Sequence, residues 1–183
     1  MNLLQSFFCA GLLLATTIAP NQLSAQTLAF PTAEGFGKFA TGGRGGEVVE
    51  VTNLNDSGEG SFRWALSQYP NTPVTIVFRI SGVIQLKSDV RCKRNGLTIA
   101  GQTAPGDGIC FRGGKLNFGG SKNLIIRHIR SRIGGMTDSK VFIPGGSIGI
   151  ENSSDFIIDH CTFGWSAEEN MTIYDNQRTT VQW

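Results

Sequence analysis

The sequence has 183 residues, a formal net charge of +2 at pH 7 and a charged fraction of only 16%. This nearly neutral balance argues against nucleic acid as a partner, because nucleic-acid-binding proteins usually carry a clustered basic face. Beyond residue 25 no apolar run is long enough to span a membrane, so we expect no membrane partner for the mature protein.

Residues 1–25 predict a secretory signal peptide. The apolar run from Phe7 to Ile18 is too short to cross a bilayer, and residues 23–25, Leu-Ser-Ala, form a small-residue cleavage site before Gln26. No Lys or Arg precedes the run, so the alternative is an apolar helix that stays attached. We expect residues 26–183 to form one mature domain that is secreted, either extracellular or periplasmic.

The predicted signal peptide also determines how many cysteines remain in the mature chain. Cys9 leaves with the signal peptide, so Cys92, Cys110 and Cys161 remain in the mature chain. Three cysteines permit one disulfide at most, and no C-x-x-C spacing suggests a metal site. We therefore expect them to act mainly as small buried apolar residues.

Short β-branched runs closed by Gly, Asn, Asp or Ser recur along the mature chain and predict strands separated by turns. The runs are residues 48–51, 74–78, 97–99, 124–126, 156–158 and 180–183. Leu97, Leu124, Phe156 and Thr179 occupy equivalent places in the later copies, and they are 27, 32 and 23 residues apart. Such periods are typical of solenoids, in which each coil buries its apolar face against the next.

The pattern predicts an all-β fold, a right-handed single-stranded parallel β-helix of roughly five or six coils. A β-sandwich is the alternative, because residues 53–60 show hairpin-like spacing. One short helix is expected over residues 63–67, with Ser61 as its N-cap, near the end of the solenoid where the core needs a cover. The glycine pairs at 42–43 and 45–46 are interpreted as turns.

Three stretches of this sequence resemble the pectate lyases of polysaccharide lyase family one. Residues 33–37, 41–46 and 51–58 read Ala-Glu-Gly-Phe-Gly, Thr-Gly-Gly-Arg-Gly-Gly and Val-Thr-Asn-Leu-Asn-Asp-Ser-Gly. Residues 97–108 read Leu-Thr-Ile-Ala-Gly-Gln-Thr-Ala-Pro-Gly-Asp-Gly, and residues 156–161 read Phe-Ile-Ile-Asp-His-Cys. The resemblance implies that residues 26–183 are the N-terminal part of a pectate-lyase-like β-helix domain, acting on polygalacturonate or pectin as a monomer.

The family's reaction is β-elimination, in which Ca²⁺ engages the substrate carboxylate and an arginine removes the C5 proton. The resemblance places calcium ligands at Glu168 or Glu169. A second calcium-binding Asp of the family is replaced by Gly146, and Asp138 is a possible substitute upstream. The calcium site is therefore expected to have fewer protein ligands than in the family, or to be completed by substrate and water.

The family's catalytic arginine belongs to an Arg-x-Pro-x-x-Arg segment that does not occur here, so we expect it beyond Trp183. The chain is then a β-helix truncated at its C-terminus, and the isolated chain is expected to be inactive. Arg127, Arg130 and Arg132 are placed on one coil, with Arg130 and Arg132 on one face of a strand, which suits substrate binding. A solvent-facing basic strand edge is the alternative.

Asp159 and His160 are a further pair of candidate acid–base residues. Neighbours in a strand point to opposite faces, so their side chains are not expected to touch. The resemblance implies that the pair mainly orders its coil. Two other function classes remain open. One is a non-catalytic β-helix that binds acidic polysaccharide, and the other, a β-helix hydrolase, would require paired carboxylates that the sequence does not show.

Overall fold

The computed structural model describes residues 26–134 and 144–183, so the predicted signal peptide and Asp138 lie outside the described residues. Within these ranges the strands form three sheets, and every strand pair is parallel. Sheet A contains β1 (Glu47–Val51), β2 (Val74–Phe78), β5 (Asn95–Ala100), β8 (Lys122–Arg127), β11 (Ser154–Asp159) and β14 (Gln177–Gln182). Sheet B contains β3 (Gly82–Gln85), β6 (Ile109–Arg112), β9 (Ile129–Arg132) and β12 (Thr162–Gly164). Sheet C contains β4 (Val90–Arg91), β7 (Leu116–Asn117), β10 (Ile148–Glu151) and β13 (Met171–Tyr174).

From β2 to β14 the chain visits sheets A, B and C in strict rotation, which gives four complete coils of a parallel β-helix. The predicted repeats stack in register: Leu97 pairs with Leu124, and Leu124 pairs with Phe156. Phe156 in turn pairs with Thr179 of β14. The predicted solenoid is confirmed and the sandwich alternative is wrong, because the repeats pair in parallel. The described residues contain four complete coils, fewer than the roughly five or six expected, although sheet A has six rungs.

The inward side chains of sheet A form continuous columns that hold the coils together. Ile76, Ile99, Ile126 and Ile158 occupy one column, and each is at most 1% exposed. Burying one such side chain stabilises the fold by about 1.5–3 kcal/mol. No coil can bury its own face, so this stabilisation depends on the neighbouring coil.

A column of left-handed residues lies at the start of the last four rungs of sheet A. Gly96, Asn123, Asp155 and Arg178 directly precede the stacked triplets and have φ angles of 85°, 52°, 57° and 51°. Positive φ favours Gly, Asn and Asp, which explains the turn residues before the triplets. Asn123 Nδ2 also donates a hydrogen bond to Asn95 Oδ1 at 2.9 Å, which ties adjacent coils together.

The predicted helix is confirmed as α1 (Phe62–Ser67), with Ser61 at its N-cap accepting a hydrogen bond from Trp64 N. Phe62 is fully buried, and its ring centroid lies 4.6 Å from that of Phe111 and 6.1 Å from that of Phe78. The helix thus covers the first-coil end of the core. A 3-10 turn, Gly101–Thr103, follows β5. No helix in the described part of the chain is long and apolar enough to span a membrane.

Residues 29–46, here called the N-terminal strap, cross the outer face of sheet A. Ala33 and Ala40 pack on Ile125 and Ile157 in a second buried apolar cluster. The interpretation of the glycine pairs at 42–43 and 45–46 as turns alone is incomplete. An added Cβ at Gly43 would lie 2.3 Å from the Val74 carbonyl group, because the strap backbone lies directly on the strand.

The three cysteines of the described residues, Cys92, Cys110 and Cys161, are free and partly buried. Cys92 and Cys161 pack against the main core, as expected of small apolar residues. Burial raises the pKa of each of these two thiols to about 11. Both therefore remain protonated and unreactive near neutral pH.

Candidate functional site

The outer face of sheet B forms a basic groove of about 750 Å³. In β6 and β9 the buried residues alternate with outward ones, so guanidinium groups from neighbouring coils share one face. The residues that define the groove are Val83, Cys110, Arg112, Arg130, Arg132 and Trp165. The expectation that Arg130 and Arg132 lie on one face is confirmed, while their contact with substrate stays a prediction.

Trp165 forms an aromatic wall beside the arginines. The Arg132 Cζ atom lies 5.0 Å from the centre of the Trp165 ring, a cation–π arrangement. The indole is 67% exposed, and Gly134 N donates a hydrogen bond of 3.1 Å to the Trp165 carbonyl oxygen. An exposed flat ring beside guanidinium groups offers both apolar contact and charge to a ligand.

The backbone on both sides of Trp165 is held by Ser147, a fully buried residue next to β10. Its hydroxyl donates a hydrogen bond of 3.0 Å to the Gly164 carbonyl oxygen and lies 2.7 Å from the Ser166 hydroxyl. The loop after β12 is therefore fixed at its start. Fixed side chains lose less entropy when a ligand binds.

Charge in the groove favours an anionic ligand. Arg112, Arg130 and Arg132 line it, and Asp107 is the single acidic residue among its described lining residues. Arg130 Nη2 also donates a hydrogen bond to the Asp107 carbonyl oxygen, which holds that guanidinium across the groove. Guanidinium groups bind carboxylates in a bidentate manner, so a row of them suits a polymer with regularly spaced carboxylates.

Sequence reasoning missed two of these groove residues. Arg112 ends the run Ile-Cys-Phe-Arg, in which strand alternation places Cys110 and Arg112 together on the outer face. That signal was present in the sequence. Trp165 lies beyond the end of β12 with a φ angle of 60°, and no periodicity places a residue in such a turn.

The sequence suggested that Arg127 lies together with Arg130 and Arg132, but the structure places it apart from them. It belongs to sheet A, where its Nε donates a hydrogen bond of 2.6 Å to Asp159 Oδ2, and its Cζ lies 3.8 Å from the centre of the Phe30 ring. Arg127 is therefore on the same coil as Arg130 and Arg132 but on another face of the helix. Its charge is already paired with a buried carboxylate.

The expectation that Asp159 and His160 do not touch is wrong. His160 Nδ1 lies 3.0 Å from Asp159 Oδ2, because β11 ends at Asp159 and His160 adopts a φ angle of 53°. Strand alternation does not apply across that turn. Burial of Asp159 raises its pKa, but hydrogen bonds from Arg127, His160 and Gln182 outweigh burial and leave the pKa below its usual value.

Glu168 and Glu169, the predicted calcium ligands, lie in the loop between β12 and β13. Both side chains are exposed, and neither forms an ion pair with another described residue. Adjacent free carboxylates have the donor chemistry that a hard cation prefers. They supply only part of the about six to eight oxygens that Ca²⁺ takes, so substrate and water would have to complete the shell.

Comparison with known proteins gives a consistent result. Probable pectate lyase C of Aspergillus terreus is 44% identical over 146 residues, covering 80% of this chain and 33% of the relative. Probable pectate lyase C of Emericella nidulans is 44% identical over 156 residues, covering 85% and 35%. Pectate lyase 5 of Ambrosia artemisiifolia is 32% identical over 153 residues, covering 74% and 37%. The chain is a pectate-lyase-like parallel β-helix. No family model matches it.

The fold of the pectate-lyase-like chain also agrees with a solved structure. The crystal structure of jun a 1, the major allergen from cedar pollen, superimposes with a TM-score of 0.68 at 20% identity, covering 81% of this chain and 47% of that one. The pectate-lyase-like chain spans about a third of the length of the curated relatives named above.

Gly146, where the resemblance placed an Asp, lies against the same loop as the two glutamates. A Cβ added at Gly146 would lie 2.2 Å from the Glu169 carbonyl oxygen. An acidic side chain at this position would require the loop to move, because backbone atoms occupy its space.

Proposed function

We propose that the full-length protein is a polysaccharide lyase that cleaves polygalacturonate by calcium-dependent β-elimination outside the cytoplasm. The observation that carries the proposal is the basic groove, in which arginines from adjacent coils face one way beside Trp165. Its pectate-lyase relatives support the reaction class. The mature protein would act as a monomer after removal of residues 1–25.

The groove would bind the substrate through its carboxylates. Arg130 and Arg132 are two residues apart in β9, so their side chains leave one side of the strand from Cα atoms about 7 Å apart along its axis. Trp165 would contact the apolar face of a sugar ring while Arg132 engages a carboxylate next to it. Acidic substrate is thereby favoured over esterified substrate, which lacks the charge.

Calcium, when bound, would neutralise the substrate carboxylate and make the neighbouring C–H bond more acidic. In this chain Glu168 and Glu169 would hold it, because they are adjacent, exposed oxygen donors without a competing partner among the described residues. We propose that the base, an arginine, lies outside this chain. The isolated chain is then inactive.

Ultraviolet absorbance tests the proposal, because elimination leaves a conjugated double bond in the product. The full-length protein is incubated with polygalacturonate, with and without a chelator. Absorbance that rises only with calcium supports the proposal. Reducing ends that appear without the absorbing product would indicate hydrolysis instead and overturn it.

A second function is favoured by one observation. Backbone atoms of Glu169 fill the space beside Gly146, which leaves fewer carboxylates for calcium. A non-catalytic β-helix that binds acidic polysaccharide needs the groove but no calcium site. It would retain polygalacturonate in an affinity gel while releasing no unsaturated product in calcium.

A further inference from the structure

The two histidines of the chain lie on top of one another in adjacent coils. The sequence contains two histidines, and the ring centroids of His128 and His160 are 4.8 Å apart with an interplanar angle of 19°. Each directly follows a strand of sheet A, and the φ angles of 52° and 53° turn the chain towards sheet B. Because Arg127 and Asp159 are register partners, the fold itself brings the next residues together.

A buried carboxylate orients one of the two rings. Asp159 is fully buried and accepts hydrogen bonds from Arg127 Nε at 2.6 Å and Gln182 Nε2 at 2.7 Å. His160 Nδ1 lies 3.0 Å from the same carboxylate, so the hydrogen-bond pattern assigns the proton to Nδ1. The Nε2 lone pair of His160 is then available on a side chain that is 47% exposed. Histidines that bind metals commonly have such a carboxylate behind them.

The second ring, that of His128, lies close to the first. Potential ligand atoms of His128, Asp159 and His160 all lie within 4.8 Å of one another. An ion about 2.0–2.1 Å from each of two nitrogens needs them within about 4 Å, so binding requires the two stacked rings to move together and turn their nitrogens towards one ion.

Space for the rest of a coordination shell lies directly over the rings. A cleft of about 430 Å³ is lined by both histidines and also by Gln102, Asp107 and Thr162. We propose that His128 and His160 bind one borderline divalent transition ion, of the class of Zn²⁺, Ni²⁺ and Cu²⁺. Imidazole nitrogen suits these ions, whereas Ca²⁺ prefers oxygen, so this site is separate from the one at Glu168 and Glu169.

Trp183 supplies an optical reporter for the site, because its ring centroid lies 6.2 Å from that of His160. The purified protein is freed of metal and titrated with CuCl₂, NiCl₂ or ZnCl₂. We expect one equivalent to bind, with Cu²⁺ the tightest, and Cu²⁺ or Ni²⁺ to quench the tryptophan fluorescence. In W183F most of the quenching is lost, while calorimetry still detects binding.

The matched variants are His128→Asn and His160→Asn, because asparagine tolerates the positive φ of both positions. Each should weaken Cu²⁺ binding at least tenfold while far-UV circular dichroism stays unchanged. Cys161→Ser, one residue from the site, should bind as the parent does. Unchanged affinity in both histidine variants, or its loss in Cys161→Ser, would overturn the proposal.

A measurement on the parent protein keeps the test valid if a variant does not fold. One equivalent of Cu²⁺ should broaden the imidazole C–H proton signals of both histidines in NMR spectra. Broadening of neither signal, or of only one, contradicts a shared site.

Discussion

Asp159 and Arg127 join two coils by a hydrogen bond of 2.6 Å between Oδ2 and Nε. Gln182 of the following coil donates to the other carboxylate oxygen at 2.7 Å, so one buried carboxylate links three consecutive rungs of sheet A. Phe30 of the N-terminal strap covers the guanidinium group. The pair therefore couples coil stacking to the docking of the strap.

Replacement of Asp159 by Asn should destabilise the protein by about 2–4 kcal/mol. The change removes a fully buried charge and leaves the Arg127 guanidinium, itself only 19% exposed, without its counter-ion. Urea unfolding followed by circular dichroism measures the loss as a lower midpoint at unchanged slope.

Asp155→Asn is the matched control, because Asp155 also pairs with an arginine of a neighbouring coil, Arg178, at 2.6 Å. That pair is largely exposed, and its loss should cost about 0–1 kcal/mol. Equal effects of the two substitutions would contradict the view that burial makes the Asp159 pair important.

Stability should fall in acid partly through Asp56. Burial raises the pKa of Asp56, but the hydrogen bond from Arg63 at 2.8 Å and that from Lys87 N outweigh burial and lower the pKa overall. Because the folded-state pKa lies below the unfolded value of about 3.9, the stabilisation is present above that value. It is lost as the pH falls through the folded-state pKa.

Denaturant unfolding of Asp56→Asn near neutral pH and at about pH 3 measures this contribution. The variant should be less stable than the parent near neutral pH and should lose less stability in acid. Asp175→Asn removes an exposed carboxylate that forms no ion pair with a described residue, so its pH dependence should follow that of the parent. A parent-like acid response in Asp56→Asn would show that this pair does not matter.

The sequence predicted all six rungs of sheet A and a helix over residues 63–67, because these segments carry strong local signals. Their apolar triplets follow turn residues such as Asn123 and Asp155, and the left-handed φ angles explain that spacing. Apart from the strand that carries Arg130 and Arg132, the strands of sheets B and C were not predicted. Strands such as β4 (Val90–Arg91) and β7 (Leu116–Asn117) have two residues and bury one side chain each, which leaves no periodicity to detect.

The site was predicted only where strand alternation holds. Arg130 and Arg132 are correctly placed on one face because both lie inside β9. The contact between Asp159 and His160 depends on a left-handed turn, and the stacking of His128 depends on the register between coils. Neither property is visible in a local pattern.

Gly37→Ala should loosen the N-terminal strap. An added Cβ at Gly37 would lie 2.1 Å from the Phe156 carbonyl oxygen and 2.7 Å from Thr180 N, so the strap has to lift from the sheet. Overpacking of this kind costs about 1–3 kcal/mol. Limited proteolysis should cleave residues 29–46 sooner than in the parent.

The control for the strap is Gly45→Asn. Gly45 has a φ angle of 74° and no atom within 4 Å of an added Cβ, and asparagine tolerates this conformation. Its stability should stay within about 0.5 kcal/mol of the parent. Proteolysis of the strap at the parent rate in Gly37→Ala would show that the backbone contact is not restrictive.

The basic groove gives the last prediction. Arg132→Gln should weaken polygalacturonate binding by roughly ten- to a hundredfold, because it removes a charge-assisted hydrogen bond worth about 1.5–3 kcal/mol. It should also reduce the dependence of binding on salt. Trp165→Ala should weaken binding too, and calorimetry with oligogalacturonate of defined length measures both effects.

The double variant of Arg132 and Trp165 distinguishes a shared subsite from two separate contacts. The guanidinium group lies 5.0 Å from the indole ring, so each side chain positions the other, and the combined loss should be smaller than the sum of the single losses. Arg91→Gln, on sheet C and 78% exposed, removes the same charge away from the groove and should leave binding nearly unchanged. If Arg91→Gln weakens binding as much as Arg132→Gln does, the polymer is attracted by net charge alone, and the groove is not the site.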